Sequence, residues 1–203
     1  HNAEDSEKAI AAIIANGWEA GVQLMPGLPG ETLKGFLQGV ETVSEWGIHY
    51  ARLYPAVVLK GTRLAEEYSA GRYRPLPCEE AVEWCVRASE IFEKRNIQVI
   101  RVGLPASDIL KASVVAGPYH AAFGFLVQSF RFHKKLRAAI YALPGNPHAV
   151  HIHLSRPDLP LLMGDKCREW EDLKARFSDK KLAYFLETAF SKGIIRVKAD
   201  SAS

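Results

Sequence analysis

The chain has 203 residues, of which 48% are hydrophobic and 24% are charged, and its formal net charge is +3. This is an ordinary globular composition, and the small positive charge permits contact with a polyanion without arguing for one. No apolar run approaches the length of a membrane span, and no signal-peptide pattern is present. We therefore expect a cytoplasmic protein without a membrane partner.

The first half of the sequence predicts helices that alternate with strands. A helix begins directly after His1, with Asn2 as its N-cap and Asp5 in its first turn, so we expect the chain to be the C-terminal part of a longer protein. The predicted elements are helix 3–16, strand 19–25, helix 31–46, strand 49–54, a short helix within 61–71, helix 78–95 and strand 97–102. This order predicts a parallel α/β sheet with crossover helices, whose ligand side is the C-terminal ends of the strands.

The pattern changes after residue 103. Residues 111–124 are rich in small side chains and predict a loop. The later elements that we predict are helix 119–140, a strand within "HAVHIH" at 148–153, helices 165–176 and 179–191 and a strand at 193–199, with proline-rich loops at 144–148 and 156–160. We predict three segments, namely 1–105, a helical segment 106–140 and a small α/β extension 141–203.

The three cysteines, Cys78, Cys85 and Cys167, are sparse and far apart. Such a set favours reduced thiols over a disulfide framework, and none of the three lies in a cluster with metal-ligand spacing. Cys85 shares an apolar helical face with Val82 and Val86, which predicts a core thiol. We predict no metal ligands in this chain.

The stretch "GVQLMPGLPGET" connects a predicted buried strand to the start of a helix. Gly27 and Gly30 have access to backbone angles that other residues avoid, and the two prolines beside them fix φ. The result is a rigid loop that a ligand can approach closely, next to the free N–H groups of the helix start at Glu31. The alternative is a plain turn in which Glu31 only complements the helix dipole. The spacing leaves both interpretations open.

Three stretches together resemble the radical S-adenosylmethionine (SAM) superfamily. "GVQLMPGLPGET" is similar to the fifth-strand motif of that superfamily. Residues 53–77 resemble the sixth-strand region of Elongator catalytic-subunit-like radical SAM proteins and of their shorter bacterial relatives, and "VIRVGLP" is a third matching block. The matching positions are Gly21, Gln23, Met25, Gly27, Gly30, Glu31, Tyr54, Pro55, Gly61, Thr62, Leu64, Gly71, Arg72, Tyr73 and Arg101. The resemblance covers roughly residues 1–105, and we expect no acetyltransferase domain.

The resemblance implies the second half of a partial (β/α)6 TIM-like radical SAM barrel, with SAM as a cofactor. The residues that it places at the adenosine part of SAM are Gln23, Met25, Gly27, Gly30, Leu53, Tyr54 and Pro55. By this resemblance Gln23 would hydrogen-bond the ribose. Met25 and the backbone around Tyr54 would pack on the adenine.

The superfamily also holds a 4Fe-4S cluster on a Cys-x3-Cys-x2-Cys motif. This chain has no such motif, and the resemblance places the ligands upstream of His1, so we expect the chain to be inactive alone. By the same resemblance, the intact protein is an iron-sulfur enzyme. It would reductively cleave SAM to a 5′-deoxyadenosyl radical that abstracts hydrogen from a tRNA or small-molecule substrate.

Two further groups of residues are candidates for substrate or metal contacts. Arg101, Tyr119 and His120 are substrate-cavity candidates, although Tyr119 and His120 also fit the polar start of a helix. His151 and His153 share one face of a predicted strand and could bind zinc, but a third ligand is not placed. Incidental histidines on a strand are the alternative interpretation.

Basic residues support a second hypothesis, a catalytically silent RNA- or partner-binding module. The charges lie in the stretch "RFHKKLR" at 131–137 and in the segment 72–74. For residues 131–137, a solvated helix face is the alternative explanation. A third hypothesis is a phosphate-binding barrel enzyme that uses the Gly27 loop and the following helix start. The apolar edges of a half-barrel also predict a homodimer.

Overall fold

The computed structural model describes residues 2–199 of the chain. The helices of this part are α1 (Ala3–Ala15), α2 (Leu33–Ser44), α3 (Arg63–Ser69), α4 (Cys78–Lys94), α5 (Asp108–Ser113), α6 (Phe123–Tyr141), α7 (Leu159–Met163) and α8 (Arg168–Arg176). The strands are β1 (Gly21–Leu24), β2 (Tyr50–Leu53), β3 (Val58–Leu59), β4 (Gln98–Val102), β5 (Val114–Ala116), β6 (Ala149–Leu154), β7 (Lys181–Leu186) and β8 (Ile195–Ala199). Backbone contacts divide the chain into two units, up to Val127 and from Gln128 onward.

The first unit contains a three-stranded parallel sheet with the order β1-β2-β4. Parallel neighbours need a crossover connection, and α2 and α4 provide the two crossovers of this sheet. The prediction of parallel strands with crossover helices is confirmed. The predicted strands and helices of this unit agree with the observed ones to within about two residues at most ends.

One face of the parallel sheet carries the core of the first unit. Ala51 and Leu53 of β2 are fully buried, and Phe36 of α2 stacks on Trp84 of α4 with ring centroids 5.6 Å apart. Cys85 is also fully buried, as its helical spacing predicts, and burial raises the pKa of its thiol to about 12. This thiol therefore remains protonated and unreactive at neutral pH.

The cap of the first helix is as predicted. The Asn2 side chain accepts a hydrogen bond from the Asp5 backbone N–H at 2.9 Å, and the Asp5 carboxylate accepts one from the Asn2 N–H at 2.9 Å. This reciprocal pair satisfies two of the N–H groups that a helix start leaves without intrahelical partners.

Among the described residues, none of the helices is long and apolar enough to cross a membrane.

The predicted loop at 111–124 is partly wrong. Within it, Val114–Ala116 forms β5, which pairs antiparallel with β3. Strands of two or three residues are too short to show an alternating pattern, so the pairing was not visible in the sequence. Helix α6 begins at Phe123 instead of 119, since the Phe123 N–H bonds the His120 carbonyl at the start of the helix.

The second unit contains a mixed sheet with the order β7-β6-β8. β6 pairs parallel with β7 and antiparallel with β8. The alternate residues Val150, Ile152 and Leu154 of β6 are fully buried. They form a core with Phe132, Leu136, Ile140, Leu162, Leu173 and Phe177. This arrangement leaves the other face of the sheet outside the core.

The predicted helix 179–191 is wrong, since Lys181–Leu186 forms strand β7. The stretch "KLAYFLETAF" contains good helix formers, but its pairing with β6 over six register positions overrides that local preference. The predicted loop 156–160 is also partly wrong, because a 3-10 turn and the start of α7 occupy it. The division into 1–105, 106–140 and 141–203 stays a prediction.

We expect the stability of the second unit to fall when the pH drops below about 6.5, the ordinary pKa of histidine. Burial lowers the pKa of His133, and the hydrogen bond that its Nε2–H donates to the Leu162 carbonyl at 2.8 Å opposes this shift. Arg137 lowers the pKa further, whereas Glu169 raises it. The unfolded chain then takes up a proton that the folded chain does not, so stability present above this pH is lost as the pH falls.

A single group of this kind changes the free energy of unfolding by at most about 1.4 kcal/mol per pH unit. Thermal unfolding of the wild type and of His133→Gln between about pH 7.5 and 5.5 measures the effect. Gln still offers an N–H donor to Leu162 but does not titrate. An equal loss of stability in both proteins would contradict the assignment to His133.

Candidate functional site

The loops after β1, β2 and β4 lie along one rim of the parallel sheet. The Tyr54 N–H donates to the Leu24 carbonyl at 2.9 Å, and the Gly103 N–H donates to the Leu53 carbonyl at 2.8 Å. Next to them, the Ala56 N–H donates to the Pro26 carbonyl at 2.9 Å. The ladder of hydrogen bonds thus continues beyond the strands and brings the three loops side by side, as the parallel order predicts.

The loop that contains Gly27 is held by its own side chains. The Gly27 N–H donates to Glu31 Oε2 at 2.8 Å, and the Tyr73 hydroxyl donates to the Gly27 carbonyl at 2.7 Å. Gly27 has φ +91°, and a Cβ at this position would lie 2.9 Å from the Leu76 side chain. A glycine is therefore required here both by the backbone angle and by the neighbouring side chain.

Glu31 occupies the backbone N–H groups that an anion at this loop would need. Its Oε2 accepts from Gly27 and also from the Leu28 N–H at 3.3 Å. Helix α2 starts only after Thr32, whose hydroxyl caps it by accepting from the Gly35 N–H. A carboxylate fixed against these amides disfavours the hypothesis of a phosphate site at Gly27 and Glu31.

The face of the parallel sheet opposite its core is exposed and forms the floor of an open hollow. The hollow has a volume of about 300 Å³, and its lining includes Gln23, Tyr50, Arg52 and Ile100. Gln23 and Arg52 are directly opposite each other in the β1–β2 register, and both are exposed. An amide and a guanidinium side by side offer several donors and one acceptor to a polar ligand.

Arg52 is a candidate residue that the sequence reasoning missed. It lies opposite Arg101 in the β2–β4 register, so two positive charges are close neighbours on adjacent strands. Like charges in this position repel, and an anionic group between them would relieve the repulsion. The alternation in "HYARLY" carried the signal, because Ala51 and Leu53 face the core and Arg52 must face away.

Tyr119 and His120 line a narrow cleft at the same rim, together with Pro55, Gly103 and Phe123. Both side chains are half-buried. His120 Nδ1 accepts a hydrogen bond from the Ala122 N–H at 3.2 Å, so one ring nitrogen contributes to the start of α6. His120 therefore lies in the turn that precedes α6, and its role in the substrate cavity stays a prediction.

The remaining predicted site residues differ in accessibility. The Met25 side chain is 42% exposed, whereas that of Leu53 is fully buried in the core. Leu53 can therefore contact a ligand only through its backbone, whose carbonyl already accepts from Gly103. Tyr54 is half-buried beside the buried Pro55. Gly30 is exposed with φ +75°, and a Cβ added there would meet nothing within 4 Å.

The cysteines do not fit the ligand set of an iron-sulfur cluster. Cys85 is buried in the core, Cys78 is half-buried on the same helix, and Cys167 is exposed in the second unit. Within residues 2–199, no group of three or more His, Cys, Asp or Glu side chains could hold a metal ion. His153 instead bonds Glu187, Nδ1 to Oε1 at 2.6 Å.

The basic stretches proposed for nucleic acid are partly engaged in the fold. In "RFHKKLR", Phe132, His133 and Leu136 are buried. Arg72 makes two bonds with the Glu67 carboxylate, at 2.7 and 3.2 Å. Tyr73 is buried with its hydroxyl on Gly27, so it is not available to stack on a base.

The chain is similar to a known protein family and to characterised relatives. Residues 48–131 match the family described as the Radical_SAM C-terminal domain. A tRNA uridine(34) acetyltransferase of Methanocaldococcus infernus is 28% identical over 188 residues, which cover 86% of this chain and 34% of that protein. A protein of the same name from Methanocaldococcus jannaschii is 29% identical over 133 residues, 64% of this chain and 24% of that protein.

A solved structure agrees with these matches. The archaeal Methanocaldococcus infernus Elp3 with an N-terminal deletion has a TM-score of 0.55 and 26% identity, over 68% of this chain and 32% of that chain. The chain spans about a third or less of the length of these relatives. Residues 48–131 thus match the radical SAM C-terminal domain family, and the resemblance of the chain to Elongator-like radical SAM proteins is confirmed.

Proposed function

We propose that the chain is the C-terminal half of a radical SAM enzyme, in which it binds the adenosine part of SAM and forms one wall of the substrate cavity. The observation that carries the proposal is the exposed face of the parallel sheet, where Gln23 and Arg52 line a hollow of about 300 Å³. Parallel sheets are normally covered on both faces. An exposed polar face suits a sheet that lines the inside of a partial (β/α)6 barrel.

The residues of this chain suit binding and positioning. Gln23 offers an amide that can bond both ribose hydroxyls, and Arg52 beside it can pair with the SAM carboxylate. Met25, 42% exposed at the end of β1, gives an apolar surface for the adenine. The fixed Gly27 loop keeps these groups in place before the ligand arrives, which reduces the entropy lost on binding.

Reductive cleavage of SAM is the chemistry that the cofactors would supply when bound. The cysteines described above do not fit a cluster, so its ligands would have to come from another part of the protein and we derive no step through it. Arg101, Tyr119 and His120 are proposed as substrate-cavity residues. The relatives are named for tRNA, and tRNA is therefore the proposed substrate class.

The test uses the longest natural reading frame that contains this chain. It is purified without oxygen, reconstituted with iron and sulfide, and given SAM and a reductant, and 5′-deoxyadenosine is measured. Formation of 5′-deoxyadenosine supports the proposal. Its absence from a protein with an intact cluster would overturn the proposal in favour of a catalytically silent binding module.

SAM binding gives a second measurement that does not depend on turnover. We expect Gln23→Ala to weaken SAM binding in equilibrium dialysis about tenfold, since it removes hydrogen bonds to the ligand. Gln38→Ala, at an exposed position on α2, is the matched control and should bind like the wild type. Equal affinity of both variants would contradict the role of Gln23.

A further inference from the structure

The outer face of the second sheet combines rings and positive charges. On this face, His153 of β6 lies opposite Phe185 of β7 and Arg196 of β8, and His151 lies opposite Lys198. Lys181 begins β7 on the same face, opposite Ala149. The intervening residues Val150, Ile152 and Leu154 point to the core, so the alternation of the strand fixes which side chains are outside.

The rings on this face are stacked and accessible. The rings of His153 and Phe185 lie nearly parallel, with centroids 5.2 Å apart and planes at 22°, and the His151 ring meets Phe185 edge-on at 5.0 Å. Phe185 is 42% exposed, which is unusual for such a large apolar side chain. It is the outermost ring of a short stack, and another flat ring could continue that stack.

The charges around the rings are positive. Lys181, Arg196 and Lys198 are exposed, and the Arg196 guanidinium lies over the Phe190 ring at 5.2 Å from its centroid. Among the residues that the structure describes, Glu187 contributes a negative charge at this face, and its carboxylate is bonded to His153. The three cations are therefore available to an anionic partner with a flat apolar part.

We propose that this face binds single-stranded RNA. An unpaired base would stack on Phe185, whose ring stacks on that of the neighbouring His153, while Lys181, Arg196 and Lys198 would contact the phosphates on either side. Base stacking on exposed aromatic rings of a sheet, combined with basic residues that follow the backbone, is how proteins bind single strands. A duplex keeps its bases stacked inside and cannot offer a ring to Phe185.

The proposed RNA-binding surface consists of residues of the second unit only. Its test needs neither SAM nor iron, so a negative result leaves the proposed enzyme function untouched, and the reverse also holds. The probe is a fluorescein-labelled RNA of eight nucleotides without self-complementarity, measured by fluorescence anisotropy with the 203-residue chain. The same RNA annealed to its full complement is the duplex probe. We expect at least tenfold tighter binding of the single strand.

The variants separate stacking from charge. We expect Phe185→Ala and Phe185→Leu each to weaken binding about tenfold, within the range known for base-aromatic stacking. Leu keeps much of the apolar volume, so this variant remains informative if Ala disturbs the sheet. The double variant Arg196→Ala with Lys198→Ala should lower the slope of log K against log salt concentration by about 1.4, for two phosphate contacts on a single strand.

Two substitutions elsewhere in the second unit are the controls. Tyr141→Ala removes an exposed ring and Lys174→Ala removes an exposed charge, and neither residue lies on the proposed surface. Both should bind like the wild type, and circular dichroism should show that all variants are folded. Unchanged binding in Phe185→Leu, or an equal loss in Lys174→Ala and in the Arg196–Lys198 pair, would overturn the proposal.

Discussion

Gly103→Ala should lower the free energy of unfolding by about 3 kcal/mol, the sum of backbone strain and overpacking. Gly103 follows β4 on the candidate rim with φ +81°, a region that costs other residues about 1–2 kcal/mol. An added Cβ would lie 2.6 Å from the Phe123 Cβ. Phe123 cannot relieve this contact by rotating its ring, because the Cβ is fixed to the backbone of α6.

Gly30→Ala is the matched control for this variant. Gly30 has a similar φ of +75°, but a Cβ there would meet nothing within 4 Å. Its cost should therefore be the backbone strain alone, about 1 kcal/mol. Urea-induced unfolding followed by circular dichroism measures both variants. Equal losses of unfolding free energy in the two variants would show that the contact of the added Cβ with Phe123 does not destabilise Gly103→Ala.

Asp158→Ala should lower the free energy of unfolding of the second unit by about 3 kcal/mol, an effect similar to that of Gly103→Ala. The substitution removes the acceptor of two hydrogen bonds and leaves a cavity. Asp158 is completely buried after β6. Its Oδ2 accepts from the Ser155 hydroxyl at 2.7 Å and from the Gly193 N–H at 2.6 Å. These bonds fasten the segment before β8 to the end of β6.

Asp158→Asn tests the same contact with less disturbance. Its amide oxygen can accept both hydrogen bonds, so we expect a loss of only about 1 kcal/mol. Asp172→Ala, at an exposed carboxylate on α8 with a 3.8 Å contact to Arg168, should change stability by less than about 0.5 kcal/mol. The same urea unfolding measures all three. If Asp158→Ala lowers the free energy of unfolding no more than Asp172→Ala does, the hydrogen bonds of the buried Asp158 do not stabilise the second unit.

Part of the candidate site could be predicted from the sequence. The alternation of strands and helices places the loops after β1, β2 and β4 on one rim, and the glycines and prolines of the first loop indicate a rigid turn. The specific partners of that loop could not be predicted. Tyr73 is 46 positions from Gly27, and no local pattern indicates that its hydroxyl donates to the Gly27 carbonyl.

The local and repeating features of this protein can be predicted from its sequence. The Asn2 cap, the buried faces of α2 and α4 and the buried positions of β2 and β6 depend on neighbours within a few residues or on a regular spacing of apolar side chains. Such features are present in any part of the chain that carries the pattern. The parallel direction of β1, β2 and β4 follows from the crossover helices between them.

Only the tertiary structure decided the pairings between distant segments. β7 is a strand because β6 offers it a full row of backbone partners, although its sequence suits a helix, and β3 and β5 exist only as a pair. Strand pairing also puts Arg52 beside Gln23 in the first unit, and in the second unit it puts His153 between Phe185 and Arg196. Backbone hydrogen bonds between strands do not depend on side-chain identity, so the sequence alone does not reveal which strands meet.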